Sequence, residues 1–278
     1  MLREPLRAAC DPSRYAVFKE SKLQLEWSGD HLSGATLNGR KFNVVKFDGP
    51  GEHPGATNFA MLRSEDGQRI LKISNMTAYI TDPESARQRL RKMVRAYNRG
   101  ARIGGPTPDA YGIVNAIPTG KTGVRHYPFV EMESLATPDA IGTFKGLLHD
   151  DKAKLRDLLT RCNENHCVTA NAADILIRAM EEKVSIADEF DFMIYPNRVR
   201  PLDVDEYQAL SPQNFNRFLG TLSEFMLRMA TVSGNNFAPH FMFLFRLRDQ
   251  AAASTKLDPA LKTKFFATLN RWIGLGEP

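Results

Sequence analysis

Five segments follow one another through the first two thirds of this chain, and their order limits the fold more than any single motif does. A glycine-rich turn, FDGPGEHPGAT (Phe47–Thr57), comes between two strand-like runs. The strand-like run RILKIS follows, with Lys72 inside it, and then a helix dense in arginine. An apolar strand closing on acids, YPFVEME (Tyr127–Glu133), is fourth. The fifth is a hairpin, DFMIYPNRVRPLDVDEY (Asp191–Tyr207), which puts Asp203 at the end of a strand.

Local signals extend this frame. FNVVKF (Phe42–Phe47), NFAMLRS (Asn58–Ser64) and RILKIS (Arg69–Ser74) read as three antiparallel strands, with Asp66-Gly67 as the hairpin between the last two. Asp82-Pro83-Glu84 supplies a cap, a first-turn proline and a first-turn acid, so a helix is expected from there to Gly100. Two more strands follow, Gly112–Pro118 and Val124–Glu133. From Thr137 onward the pattern is helical: Pro138–Leu148, Asp151–Asn163, Ala170–Lys183, Gln213–Met229, Phe237–Ala253 and Pro259–Gly274. The expected class is α+β. Residues 1–40 read as a flexible leader or small add-on, 41–134 as a lobe of five antiparallel strands and one helix, and 135–278 as a reduced, mainly helical lobe carrying the hairpin.

Each segment has a chemical reading. Gly49, Gly51 and Gly55 let backbone amides approach a phosphate without Cβ interference, although an ordinary long hairpin loop would look the same. The turn lacks the lysine and Ser/Thr that open a helix in a Walker-type loop. Lys72, among Ile70, Leu71 and Ile73, is costly on a half-buried strand unless it meets an anion. Asp191 and Asp203, at the same end of one hairpin, would suit Mg²⁺, which prefers oxygen ligands and keeps substrate phosphates in its shell. Asp188 lies three residues earlier.

Composition narrows the partners. Charged residues make up 25% of the chain and no apolar run approaches the roughly 20 residues of a membrane span, so the chain is expected to be soluble. A net charge of +5 is mild and does not call for nucleic acid. Much of the excess lies in one helix (Arg87, Arg89, Arg91, Lys92, Arg95 and Arg99), which reads as a solvated face or else as a docking surface for an acidic protein, and not as a nucleic-acid site, because aromatic residues are not interleaved, Tyr97 apart. Cys10, Cys162 and Cys167 are too few for a disulfide scaffold. With His166 alone beside the last two, they are also too few for zinc, so they read as thiols.

Taken in order, these residues resemble the protein kinase-like fold, in particular the minimal kinases that bacteria deliver into host cells by type III secretion. The resemblance covers residues 40–210 and implies a bilobal fold. The glycine-rich turn resembles the nucleotide flap and Lys72 the phosphate-pairing lysine of the third strand. The stretch from Glu131 through Met132 to Glu133 resembles the hinge that binds the base. Asp203, in PLDVDEY, resembles the metal-binding aspartate of the DFG motif, Asp191 stands where the catalytic-loop asparagine would be, and Asp188 stands near the general base.

The resemblance therefore implies an ATP- and Mg²⁺-dependent Ser/Thr protein kinase whose substrate is a host protein, acting after secretion or otherwise in the cytoplasm. A kinase-like pseudoenzyme that works as a protein-binding module, and an adenylyl transferase, are the alternatives. The chain departs from the pattern in several places. No HRD sequence precedes the hairpin, the only acid in the arginine-rich helix is Glu84, so that Glu84 or Gln88 would have to serve the lysine, and no APE-type segment follows Asp203.

Overall fold

The computed structural model describes residues 19–20, 22–28, 31–47, 58–74, 81–116, 123–161, 167–186, 190–234 and 236–274. They form two compact units. The first comprises residues 1–101 and 106–137, the second 102–105 and 138–278.

The first unit is built on one sheet. Its strands are β1 (Lys19–Glu20), β2 (Leu23–Ser28), β3 (His31–Leu37), β4 (Arg40–Phe47), β5 (Asn58–Ser64), β6 (Arg69–Ser74), β7 (Pro108–Ala116) and β8 (Arg125–Glu133), in the order β1-β7-β8-β6-β5-β4-β3-β2. Strands β2 to β8 are antiparallel to their neighbours, and only the two-residue β1 runs parallel, to β7.

The sheet is curled. Arg40 on β4 and Glu131 on β8 form an ion pair although β5 and β6 lie between their strands. In a flat sheet, three strand spacings of about 4.8 Å would hold them some 14 Å apart. β2 likewise approaches β7 across the concave side. That side encloses Leu32, Leu37, Phe42, Leu62, Leu71, Ile73, Tyr127 and Phe129. The helix α1 (Pro83–Arg102) opens as its sequence suggests, with the Asp82 carboxylate accepting from the backbone N–H groups of Glu84 and Ser85. It buries Leu90, Met93, Val94 and Tyr97.

This sheet corrects the expected architecture. The α+β class stands, but the chain does not form a five-stranded lobe with one helix beside a reduced helical lobe. It forms a half-barrel sheet with seven antiparallel strands, and seven α-helices among the described residues. The extra strands come from residues that read as a leader. β2 buries only Leu23 fully and exposes most of its other side chains, so its hydrophobic alternation is faint. A stronger signal was present in Asn38-Gly39, whose two positive φ angles (52° and 81°) form the two-residue turn joining β3 to β4.

The second unit holds the remaining helices: α2 (Phe144–Asp150), α3 (Lys152–Thr160), α4 (Val168–Glu181), α5 (Phe215–Ser233), α6 (Ala238–Ala253) and α7 (Pro259–Ile273). Its strands are short. β11 (Phe192–Ile194) pairs on one side with β12 (Val199–Pro201) and on the other with β9 (Gly142–Thr143), while β10 (Val184–Ser185) pairs with β13 (Gln208–Ala209). Phe225 on α5 is the hub of the core. Its ring centroid lies 5.0 Å from Phe144 and from Phe190, 5.7 Å from Phe192 and 5.3 Å from Phe243. Arg200 on β12 fastens the 102–105 segment through the carbonyls of Gly104 and Gly105, both at 2.8 Å.

Cys167 is disulfide-bonded rather than a free thiol, and both other cysteines lie outside the described residues. A cysteine count does not reveal which sulfurs the fold brings together. No helix among the described residues is long and apolar enough to cross a membrane.

Two stability measurements test this description. Phe225→Ala removes four ring contacts at once and should cost about 3–5 kcal/mol in denaturant unfolding. Burial raises the Glu131 carboxyl above its ordinary 4.5, and Arg40 only partly offsets this. The folded chain therefore holds this proton to higher pH than the unfolded chain does, so stability should fall as pH rises above about 4.5. Glu131→Gln should flatten that slope in urea midpoints taken across the window.

Candidate functional site

The hairpin of the second unit brings three carboxylates into the neighbourhood of one buried tyrosine, Tyr207. β11 and β12 pair in register, Phe192 opposite Pro201 and Ile194 opposite Val199, and Tyr195 N–H closes the turn on the Arg198 carbonyl at 2.9 Å. At the open end the Leu202 N–H donates to the Asp191 carbonyl at 2.9 Å, so the chain enters Asp203 beside Asp191. A 3₁₀ turn over Val204–Glu206 then carries Asp205 back. The Tyr207 phenol is pushed far above its ordinary 10, first by burial and then by the charges of Asp203, Asp191 and Asp205, all of which lie near it. Its hydroxyl donates to the Leu202 carbonyl at 3.3 Å.

Two of these acids are built differently from the third. Asp191 is 5% exposed. Its Oδ1 accepts from the Phe192 N–H at 2.9 Å and from the Lys145 N–H at 3.0 Å. Lys145 lies in the first turn of α2, where backbone donors have no intrahelical acceptor, so the carboxylate also caps that helix. Asp205 is 8% exposed. Asp203, by contrast, is exposed, and its backbone is left-handed, with φ 47° and ψ 46°. Outside glycine that region is costly, and aspartate is one of the few residues that tolerate it. A strained backbone that aims an exposed carboxylate is common at ligand-holding positions.

In the first unit, Lys72 is 7% exposed. It pairs with Met61 on one side and Val130 on the other, whereas its neighbours Leu71 and Ile73 point into the concave core. Strand alternation thus puts the ammonium on the face opposite that core. Glu131, Met132 and Glu133 lie on β8, a central strand laddered to both β6 and β7. Glu131 is bound to Arg40, and Met132 is buried. The Glu133 N–H donates to the Thr107 carbonyl at 2.8 Å, and its carboxylate accepts from the Thr107 N–H at 3.3 Å. Much of the main chain of this stretch is therefore held within the sheet. Glu84 faces Arg87 and Arg91 on the exposed side of α1.

Gly49, Gly51, Gly55 and Asp188 lie outside the described residues. Asp205 and Tyr207 were not singled out from sequence, although the PLDVDEY run that yielded Asp203 contains both. Among the described residues no group of three or more His, Cys, Asp or Glu side chains is arranged to hold a metal ion. Mg²⁺ that keeps water and substrate phosphates in its shell needs only one or two protein carboxylates, and the donor chemistry of Asp203 and Asp191 fits that requirement.

The two roles of Asp191 can be separated. Asp191→Ala takes this acceptor from two N–H groups, the buried one of Phe192 and the partly buried one of Lys145, and should lower stability by about 1–3 kcal/mol. Asp191→Asn keeps an acceptor oxygen and should lower the thermal midpoint much less. Equal losses in a thermal melt would remove the capping role. No protein-family model matches the chain, and no curated protein matches it.

Proposed function

We propose that this protein is an ATP- and Mg²⁺-dependent phosphotransferase acting on a hydroxyl of a protein substrate. The observation that carries the reading is the hairpin end: an exposed carboxylate, Asp203, held in left-handed backbone beside the buried Asp191. Mg²⁺ bound with the nucleotide would supply neutralisation of phosphate charge. Asp203 is the primary carboxylate for it and Asp191 the second. Lys72 pairs with the phosphates, a role that suits a nearly buried ammonium on a sheet face. Asp188 orients the acceptor hydroxyl, while Gly49, Gly51 and Gly55 cover the nucleotide and the Glu131–Glu133 strand borders its base. The motif order of bacterial effector kinases makes the substrate a host protein and a host cell the place of action.

The exposed arginines of α1 are the docking surface for an acidic region of the partner. Arg87 and Arg91 share Glu84, which leaves Lys92 and Arg95 as its most available charges. A second reading, a protein-binding module without turnover, is favoured by one observation: Asp191 already spends Oδ1 on two backbone amides.

Incorporation from γ-labelled ATP tests the first reading, and α-labelled ATP tests adenylyl transfer. Asp203→Asn should abolish γ-transfer, and retained transfer would overturn the assignment. Asp203→Gly relaxes the left-handed backbone, so it should melt no lower than the parent while losing activity. ATP should raise the melting temperature only when Mg²⁺ is present, and a null result in both conditions favours the module.

A further inference from the structure

The concave mouth of the first unit holds a second arrangement of charge, which shares Glu131 with the strand proposed above to border the base. A cleft of about 190 Å³ opens there, lined among the described residues by Leu37, Asn38, Arg40, Asp109, Ala110 and Glu131. Leu37 and Ala110 are buried and apolar. Glu131 is 3% exposed and gives one oxygen, Oε1, to Arg40. Asp109 is half exposed and forms an ion pair with Arg69 at 3.6 Å.

We propose that this cleft binds a single basic group on an apolar stem, an alkylguanidinium or alkylammonium. Two carboxylates face the space, and the one guanidinium among its lining is already matched to Glu131. An entering anion would meet Asp109 and the second oxygen of Glu131. An entering cation would meet two acceptors, one of them nearly dry and so less screened. The methylene stem of such a ligand has Leu37 and Ala110 to lie on, as lysine and arginine stems do on apolar surface. Burial and Asp109 disfavour the charged form of Glu131, Arg40 and Arg69 favour it, and a bound cation would add to the latter side. The group could belong to a free amine or to a side chain of a peptide.

The test uses the full chain and N-acetylarginine methylamide, followed by calorimetry and by backbone amide shifts. Saturable binding should shift the amides of Leu37 to Arg40 and of Ala110. The isosteric but neutral N-acetylcitrulline methylamide should bind at least about tenfold more weakly, as expected for a charge-assisted contact. Asp109→Asn, at an exposed position, should weaken the arginine probe several-fold without changing the circular dichroism. Glu131→Gln should do the same if it folds. Agmatine and a capped Gly-Arg-Gly peptide identify the source, the tighter of the two naming it. Equal binding of the citrulline probe, an unchanged affinity in Asp109→Asn, or tighter binding of acetate than of the arginine probe would each overturn the proposal.

Discussion

Much of the second unit converges on one buried carboxylate. Asp191 takes the first N–H of β11 and a first-turn N–H of α2 on one oxygen, while its carbonyl receives Leu202 from the returning strand. A charge so deeply buried is tolerable only when hydrogen bonds replace its hydration. Those bonds fix where β11 starts, where α2 starts and where the chain emerges toward Asp203. Behind the strand, Phe192 enters the ring cluster around Phe225. The apolar core and the polar end of the hairpin are thus two sides of one three-residue strand. The exposed Asp203 depends on both, because its left-handed backbone persists only where its surroundings over-determine it.

The first unit solves a different problem. An eight-stranded sheet with a continuous apolar face must cover that face, and this one covers it by curling over itself. The cost is an end where side chains from distant strands converge, and there a carboxylate and a guanidinium meet, with Asp109 beside them. Lys72 lies on the other face of the same sheet. The unit therefore separates its charges by strand alternation: Glu131 and Arg40 on the concave side, the lysine on the convex side. Leu71 is registered with Glu131 and Lys72 with Val130, so a slip of one residue would exchange those faces.

Several elements could be read from the chain directly because their signals are local. The Asp82 cap, the Asp66-Gly67 hairpin and the juxtaposition of Asp191 and Asp203 all follow from a few adjacent residues. The strands before residue 40 were missed for the opposite reason. β2 exposes most of its side chains and becomes a strand only by pairing with β3, so its own pattern is nearly silent. Asp205 and Tyr207 were overlooked because a 3₁₀ turn, invisible to period-two reasoning, brings them back toward the site. The match of Glu131 to Arg40 spans 91 positions, and no local pattern announces it.

The sequence by itself determined the α+β class, the helical spans after Asp151 to within a few residues, and the placing of two acids at one end of a hairpin, because propensity, capping and turn chemistry act over a few residues; the helix expected from Pro138 begins only at Phe144, after strand β9. The tertiary structure alone decided that the sheet would have eight strands and curl. It also decided that Asp191 would be sequestered while Asp203 stays exposed in strained backbone, and that Glu131 would face a guanidinium across the concavity. These outcomes depend on which surfaces lose water together, a property of the packed chain that no window of neighbouring residues contains.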